Sequence, residues 1–197
     1  MDNEDDFTET LDYGTTLMVA AQLQEMGFTL RNPEALKAED IYDKESVLWA
    51  SDHAGVSAFS HFVSIDYECI YDEQDYPTFI HEIANAVEVE DRLTDVSSTW
   101  DSNGMMTVNY TFDGTPRELI FEQGSDWIPR DIAEFIIKDI ATVPGRIRLA
   151  ELEVQGPAIV WIYPDKVEEF LLLEPDFVPW PPELQLPKPK AHAPQTK

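Results

Sequence analysis

Apolar and polar positions recur along this chain with two different periods, and the switches between them predict its elements. Within residues 12–26, Thr16, Val19, Leu23 and Met26 repeat at three- and four-residue spacing, the stripe of an amphipathic helix with Gly27 just past its end. Asn32-Pro33 reads as an N-cap followed by proline at the first helical position, opening a short helix toward Tyr42. Residues 47–59 follow neither period and are expected as a loop with at most one short strand. From Val63 the period becomes two. Val63, Ile65, Tyr67, Cys69 and Tyr71 face one way, and Ser64, Asp66 and Glu68 the other, as in a half-buried strand. Pro77 then starts a helix with Ile80, Ile83, Ala84 and Val87 inward and His81, Glu82 and Asn85 outward.

The second half reads as a meander followed by mixed elements. Asn103-Gly104 predicts a hairpin between a strand ending at Trp100 and one carrying Met106, Val108, Tyr110 and Phe112. Asp113-Gly114 predicts the next turn, into a strand over residues 117–122. Ser125 or Asp126 is placed to cap a helix with Pro129 in its first turn and Ile132, Phe135, Ile136 and Ile140 inward, ended by Pro144-Gly145. Two strands follow, residues 146–152 and the unbroken apolar run 158–163, which has the pattern of a central strand buried on both faces. Asp165, with Glu168 three residues on, fits the start of a helix through Leu173. This order predicts an α+β fold on an antiparallel sheet with helices packed on it, as one domain over residues 11–174. Residues 1–10 are expected to be a flexible acidic terminus. From Pro175 the chain holds seven of its fourteen prolines and is expected to be an extended tail, or to pack its tryptophan back on the domain.

Composition narrows what this fold is for. The 197 residues carry 39 Asp+Glu against 13 Lys+Arg, a formal charge of −26 that makes direct nucleic-acid binding unfavourable. Residues 1–101 hold 24 of the acids with only 4 basic residues. No apolar run approaches the roughly 18 residues of a membrane span, and the acidic start lacks the basic n-region of a secretory signal, so a cytoplasmic location is expected. A single cysteine, Cys69, excludes an intramolecular disulfide framework.

Motifs for chemistry are sparse. The eight glycines form neither G-x-G-x-x-G nor a phosphate-binding loop, and no cofactor is expected. His81-Glu82 has Asn85 where a zincin helix needs its second histidine. Gly55-Val-Ser57-Ala-Phe59 lacks the final glycine of a nucleophile elbow. Asp52, His53 and His61 match no metal-ligand spacing, so no metal site is expected there. Cys69 shares a face with Ile65 and Tyr67, which predicts a structural thiol rather than a nucleophile.

What stands out is acidity interleaved with tyrosine. Asp66 and Glu68, about 7 Å apart on one strand face, lead into Tyr71, Asp72, Glu73, Asp75 and Tyr76. Glu88, Glu90 and Asp91 extend the acidity past the next helix. If the two stretches converge, their carboxylates form one surface for a basic protein partner, with tyrosines as packed contacts. The alternatives are a DNA mimic that inhibits a DNA-binding enzyme, a small acidic hydrolase, and acidity as salt adaptation.

The run from 106 to 173 combines a strand, the Phe112-Asp-Gly114 turn, a strand, Asp126-Trp127, an amphipathic helix, an Arg148-containing strand, an apolar strand and a short helix. In this it resembles the immunity proteins of bacterial polymorphic toxin systems. The resemblance implies a non-enzymatic, stoichiometric inhibitor that binds a toxin domain and occludes its active site. A basic nuclease is the natural opponent for so acidic a chain, with a nucleotide-consuming toxin as the alternative.

Overall fold

The computed structural model describes residues 10–39, 41–152 and 156–180. The expected terminus, residues 1–10, therefore lies almost wholly outside the described residues, as does the tail beyond Trp180. Helix α1 (Tyr13–Met26) begins where Asp12 accepts a hydrogen bond from the Thr15 backbone N–H at 3.1 Å and ends at Gly27, whose φ of 115° favours glycine. Strand β1 (Thr29–Leu30) follows. Asn32-Pro33 opens only a 3₁₀ turn, Pro33–Lys37, and the Asn32 side chain does not cap it. Its amide donates instead to Asp52 and to the Val56 carbonyl, both at 3.0 Å. The stretch expected as a loop with at most one short strand holds the short strand β2 (Phe59–Ser60), which pairs with β1, and in addition a one-turn helix, α2 (Ser46–Trp49).

The predicted strand beyond Val63 is much shorter than its alternation suggests. Strand β3 (Phe62–Ser64) pairs with residues 158–160, and the Ile65 N–H reaches the Pro157 carbonyl at 3.0 Å. There the neighbouring strand stops, so the chain leaves the sheet. Residues 66–74 fold as bends and turns with one bridge, Glu68 to Trp127; Ile70 is buried, and Tyr71 is 71% exposed. Helix α3 (Asp75–Ala86) starts two residues before Pro77 and buries the expected stripe.

Strands β4 (Leu93–Trp100), β5 (Met105–Phe112) and β6 (Thr115–Glu122) form the predicted meander. Its second turn holds Asp113 and Gly114 at φ 50° and 70°, the pair of left-handed residues that a tight hairpin requires. Helix α4 (Arg130–Ile140) has Pro129 at its start and no side-chain cap from Ser125 or Asp126. It buries Ala133, Ile136, Ile137 and Ile140, and Phe135 is exposed rather than inward. Strands β7 (Ile147–Leu152) and β8 (Pro157–Ile162) come next, and every residue of β8 is buried. Asp165 lies in a 3₁₀ turn and does not cap helix α5 (Val167–Leu173). Strand β9 (Val178–Pro179) pairs with β7, so residues 175–180 belong to the domain rather than to a tail. Trp180 is buried, with the Arg148 guanidinium 5.0 Å above its ring.

The chain is thus α+β with antiparallel sheets, and the four-stranded one runs β3-β8-β7-β9. One face of it, through Phe62, Leu149, Val160 and Ile162, shares a core with α1, α2 and α5. The other, through Ala150, Ile159 and Trp161, shares a second core with α3, α4 and the inner side of the meander. Strand β8 stands between the two. Among the described residues no helix is long and apolar enough to cross a membrane.

Candidate functional site

The turns between β3 and α3 are tied down by their own carboxylates. Asp66 accepts from the Glu68 N–H at 2.8 Å, and Asp72 from the Gln74 N–H at 2.6 Å. Asp75 accepts from the N–H groups of both Tyr71 and Asp72, at 2.6 and 2.7 Å. Further hydrogen bonds join this segment to the chain before α4: Ile70 N–H to the Asp126 carbonyl at 2.9 Å, and Ile128 N–H to the Tyr67 carbonyl at 2.8 Å. Tyr71 therefore projects from a braced loop. Its hydroxyl donates back to the Glu68 carbonyl at 3.1 Å. The phenol pKa is raised, first by desolvation and then by the carboxylates of Glu68, Asp126 and Asp66.

The ten residues singled out above do not all join this surface. Asp66, Glu68, Tyr71, Asp72 and Asp75 do. Glu73 turns to the meander, where it accepts from the Trp100 N–H at 3.0 Å. Tyr76 is fully buried, and its hydroxyl donates to the Gln123 side chain at 2.7 Å, so it serves the core and not a partner. Glu88, Glu90 and Asp91 lie past the other end of α3, whose 12 residues span about 18 Å. The two acidic stretches are therefore separated along the helix rather than merged. A shallow cleft of about 570 Å³ runs along the outer face of α3 between them, lined by Gln74, Thr78, His81, Glu82, Asn85 and Glu90 among others. Asp126 is the member that local patterning missed; the pairing of residues 67–70 with 126–128 brings it alongside.

Cys69 packs beneath this loop. Burial, then the charges of Asp66, Asp75 and Glu82, pushes its thiol up to about 11, far from the thiolate a nucleophile needs. Asp52 is engaged in its own turn, accepting from the N–H groups of Ala54 and Val56 at 2.9 and 3.0 Å. His53 is exposed and His61 is buried, and among the described residues no group of three His, Cys, Asp or Glu is placed to hold a metal ion.

His61 has another part to play. It forms the corner between β2 and β3 at φ 65°, with its N–H donating to the Ala86 carbonyl at 2.6 Å. Beside it the Ser60 hydroxyl donates to Glu88 at 2.7 Å, and Glu88 itself has φ 61°. Desolvation first, then the Arg146 charge, lowers the His61 pKa to about 4 and keeps its ring neutral. This corner is a bracing device between α3 and the sheet.

The bracing of the Tyr71 loop is directly testable. Asp75→Ala removes the acceptor of two loop amides and is expected to cost about 1–2 kcal/mol. Hydrogen exchange at the Tyr71 and Asp72 amides should accelerate, while amides in β8 keep their protection apart from that global change. Unchanged exchange at the two loop amides would show that Asp75 does not hold the loop.

Comparison with known protein families, with curated proteins and with solved structures finds no match to this chain.

Proposed function

We propose that this protein is a non-enzymatic acidic inhibitor of the immunity-protein kind, acting in the cytoplasm on a basic toxin domain, most naturally a nuclease. The observation that carries this reading is Tyr71, 71% exposed and set among the carboxylates of Asp66, Glu68 and Asp126 on a hydrogen-bonded loop. A large aromatic ring on a braced loop offers contact area with little ordering cost on binding. The carboxylates around it repel one another in the free protein and are relieved by a basic partner. Their field also speeds encounter, an effect that weakens with salt over a Debye length of about 8 Å. Occlusion is the mechanism this arrangement supports: carboxylates take the positions of substrate phosphates, and the buried aromatic slows dissociation.

The test is affinity capture from the native host at low and high salt, with bound proteins identified by mass. One dominant basic protein, retained in near-equal amount, is the expected result. A broad set of DNA-binding proteins, all released together by salt, would replace this reading with that of a DNA mimic, whose carboxylates imitate a duplex carrying one charge per roughly 1.7 Å. No retained protein at all would overturn both.

A further inference from the structure

The two edges of the meander are finished differently. On β4 the register shifts between Thr94 and Ser97, and Asp95 within that step has φ 54°, so the edge is bent out of line. Farther along β4, Glu73 takes the Trp100 N–H. Strand β6 has neither device. It pairs with β5 without a break from Thr115 to Glu122, and the Gln123 N–H carries the ladder on to the Gly104 carbonyl at 2.9 Å. Hydrogen-bonded positions alternate along an antiparallel pair, so Leu119 and Phe121 bond to β5 with Gln123, while the N–H groups of Glu118, Ile120 and Glu122 point the other way. Pro116, with no N–H to offer, takes the outward position before them. Among the described residues no hydrogen bond engages those three amides.

The layer beneath this edge is left open as well. Asp139 on α4 accepts from Arg117 on β6 at 2.8 Å and from Tyr110 on β5 at 3.1 Å, which fixes the side of the helix that faces β6. Phe135 and Ile132 lie on that side, one and two turns earlier, and Phe135 is 43% exposed. Leu119 and Phe121 are only partly buried on the inner face of β6. One more strand, about 4.8 Å beyond β6, would lay its inward side chains over these apolar groups. Its outward side chains would meet Glu118, Ile120 and Glu122, of which Ile120 is 60% exposed. The matching strand therefore has a cation, an uncharged residue and a cation at alternate positions, with apolar residues between them.

We infer that β6 is an acceptor edge for an extended, amphipathic basic segment of another protein, which joins the meander as its fourth strand. Main-chain pairing with Glu118, Ile120 and Glu122 supplies the affinity. Apolar contact with Phe135 and Ile132, and cations against the two acids, set which segment fits. A second copy of this chain is a poor occupant, because its own β6 would bring the same two acids to the seam. The edge is built from the meander and α4 rather than from the Tyr71 loop, so it stands or falls separately from the inhibitor reading.

The experiment titrates the full chain, labelled with nitrogen-15, with acetyl-Gly-Lys-Leu-Thr-Leu-Lys-Gly-amide. About 0.3 M salt screens diffuse attraction to a chain of charge −26. The control, acetyl-Gly-Lys-Lys-Thr-Leu-Leu-Gly-amide, keeps composition and charge but breaks the alternation. The expected result is saturable binding of the first peptide, at least tenfold tighter than the control, with hydrogen exchange slowed at the amides of Glu118, Ile120 and Glu122. The amides of Leu119 and Phe121, already bonded to β5, serve as the internal reference. Ile120→Pro removes the central outward donor and spares the β5 ladder, so it should abolish binding. The double variant Glu118→Lys, Glu122→Lys keeps every main-chain donor and should weaken binding at least tenfold. Equal binding of the two peptides, no binding at about 1 mM, or binding that leaves the three amides unchanged or survives Ile120→Pro overturns the proposal. So does a free chain that sediments as a dimer with those amides already protected, a result that assigns the edge to a second copy.

Discussion

Glu174, 5% exposed at the C-terminal end of α5, is expected on replacement by glutamine to make the folded protein more stable by about 4 kcal/mol at pH 8, and by only about 1 kcal/mol at pH 5.5. The sign follows from proton counts. A carboxyl whose pKa is raised from 4.5 to about 8 by burial keeps its proton in the native state across that window, while the unfolded chain has lost it. The native state then binds more protons than the unfolded one, so stability falls as pH rises from 4.5 to 8. At 1.36 kcal/mol per unit the full penalty is of the order stated. Glutamine carries no proton to lose and is free of it. Urea unfolding of both proteins at pH 5.5, 7 and 8 measures the difference. Parallel stability profiles would mean that Glu174 is ionised in the native state and compensated by some other group.

Trp161→Ala is the change expected to damage the fold most. Trp161 is 1% exposed on β8, and its indole N–H donates to the Ala141 carbonyl at 2.7 Å, linking the central strand to the end of α4. Removing the ring leaves a cavity worth about 3–5 kcal/mol, and the stranded carbonyl adds about 1–3 kcal/mol. A loss near 5 kcal/mol rivals the whole stability of a marginal domain. Trp161→Phe keeps most of the volume and loses only the hydrogen bond and part of the ring, so about 2 kcal/mol is expected. Thermal and urea unfolding read both. A loss below 1 kcal/mol for the alanine variant would place the centre of the core elsewhere than β8.

The elements that local rules specify were the ones legible in the sequence. Gly27 ends α1 because a left-handed residue acts within one helical turn. Asp113-Gly114 closes a hairpin because its backbone geometry demands those residue types. The unbroken apolar run around Val160 marks a strand with no solvent face. The strand predicted through Tyr71 was illegible for the opposite reason. Its alternation is genuine, but β8 begins at Pro157, and beyond it the chain keeps only the single bridge of Glu68 to Trp127 and turns away. That ending depends on pairing across nearly a hundred residues. The same non-local facts rearranged the candidate surface: Tyr76 went into the core beside Gln123, Asp126 came in from the far side of the meander, and α3 held the two acidic stretches apart. Glu174 was hidden likewise. It reads as an ordinary helix end until Trp49, Glu45 and Glu151 close around it.

The proposed binding of a basic partner falls on the Tyr71 loop. It is tested most directly by parallel capture with the native protein and with the triple variant Asp66→Lys, Glu68→Lys, Tyr71→Ser, each shown by circular dichroism to be folded. All three positions are exposed or half-exposed and outside regular elements, so the fold should tolerate the change. One basic protein is expected to be retained near one-to-one by the native chain and lost from the variant. Retention of that same protein by both would contradict that placement.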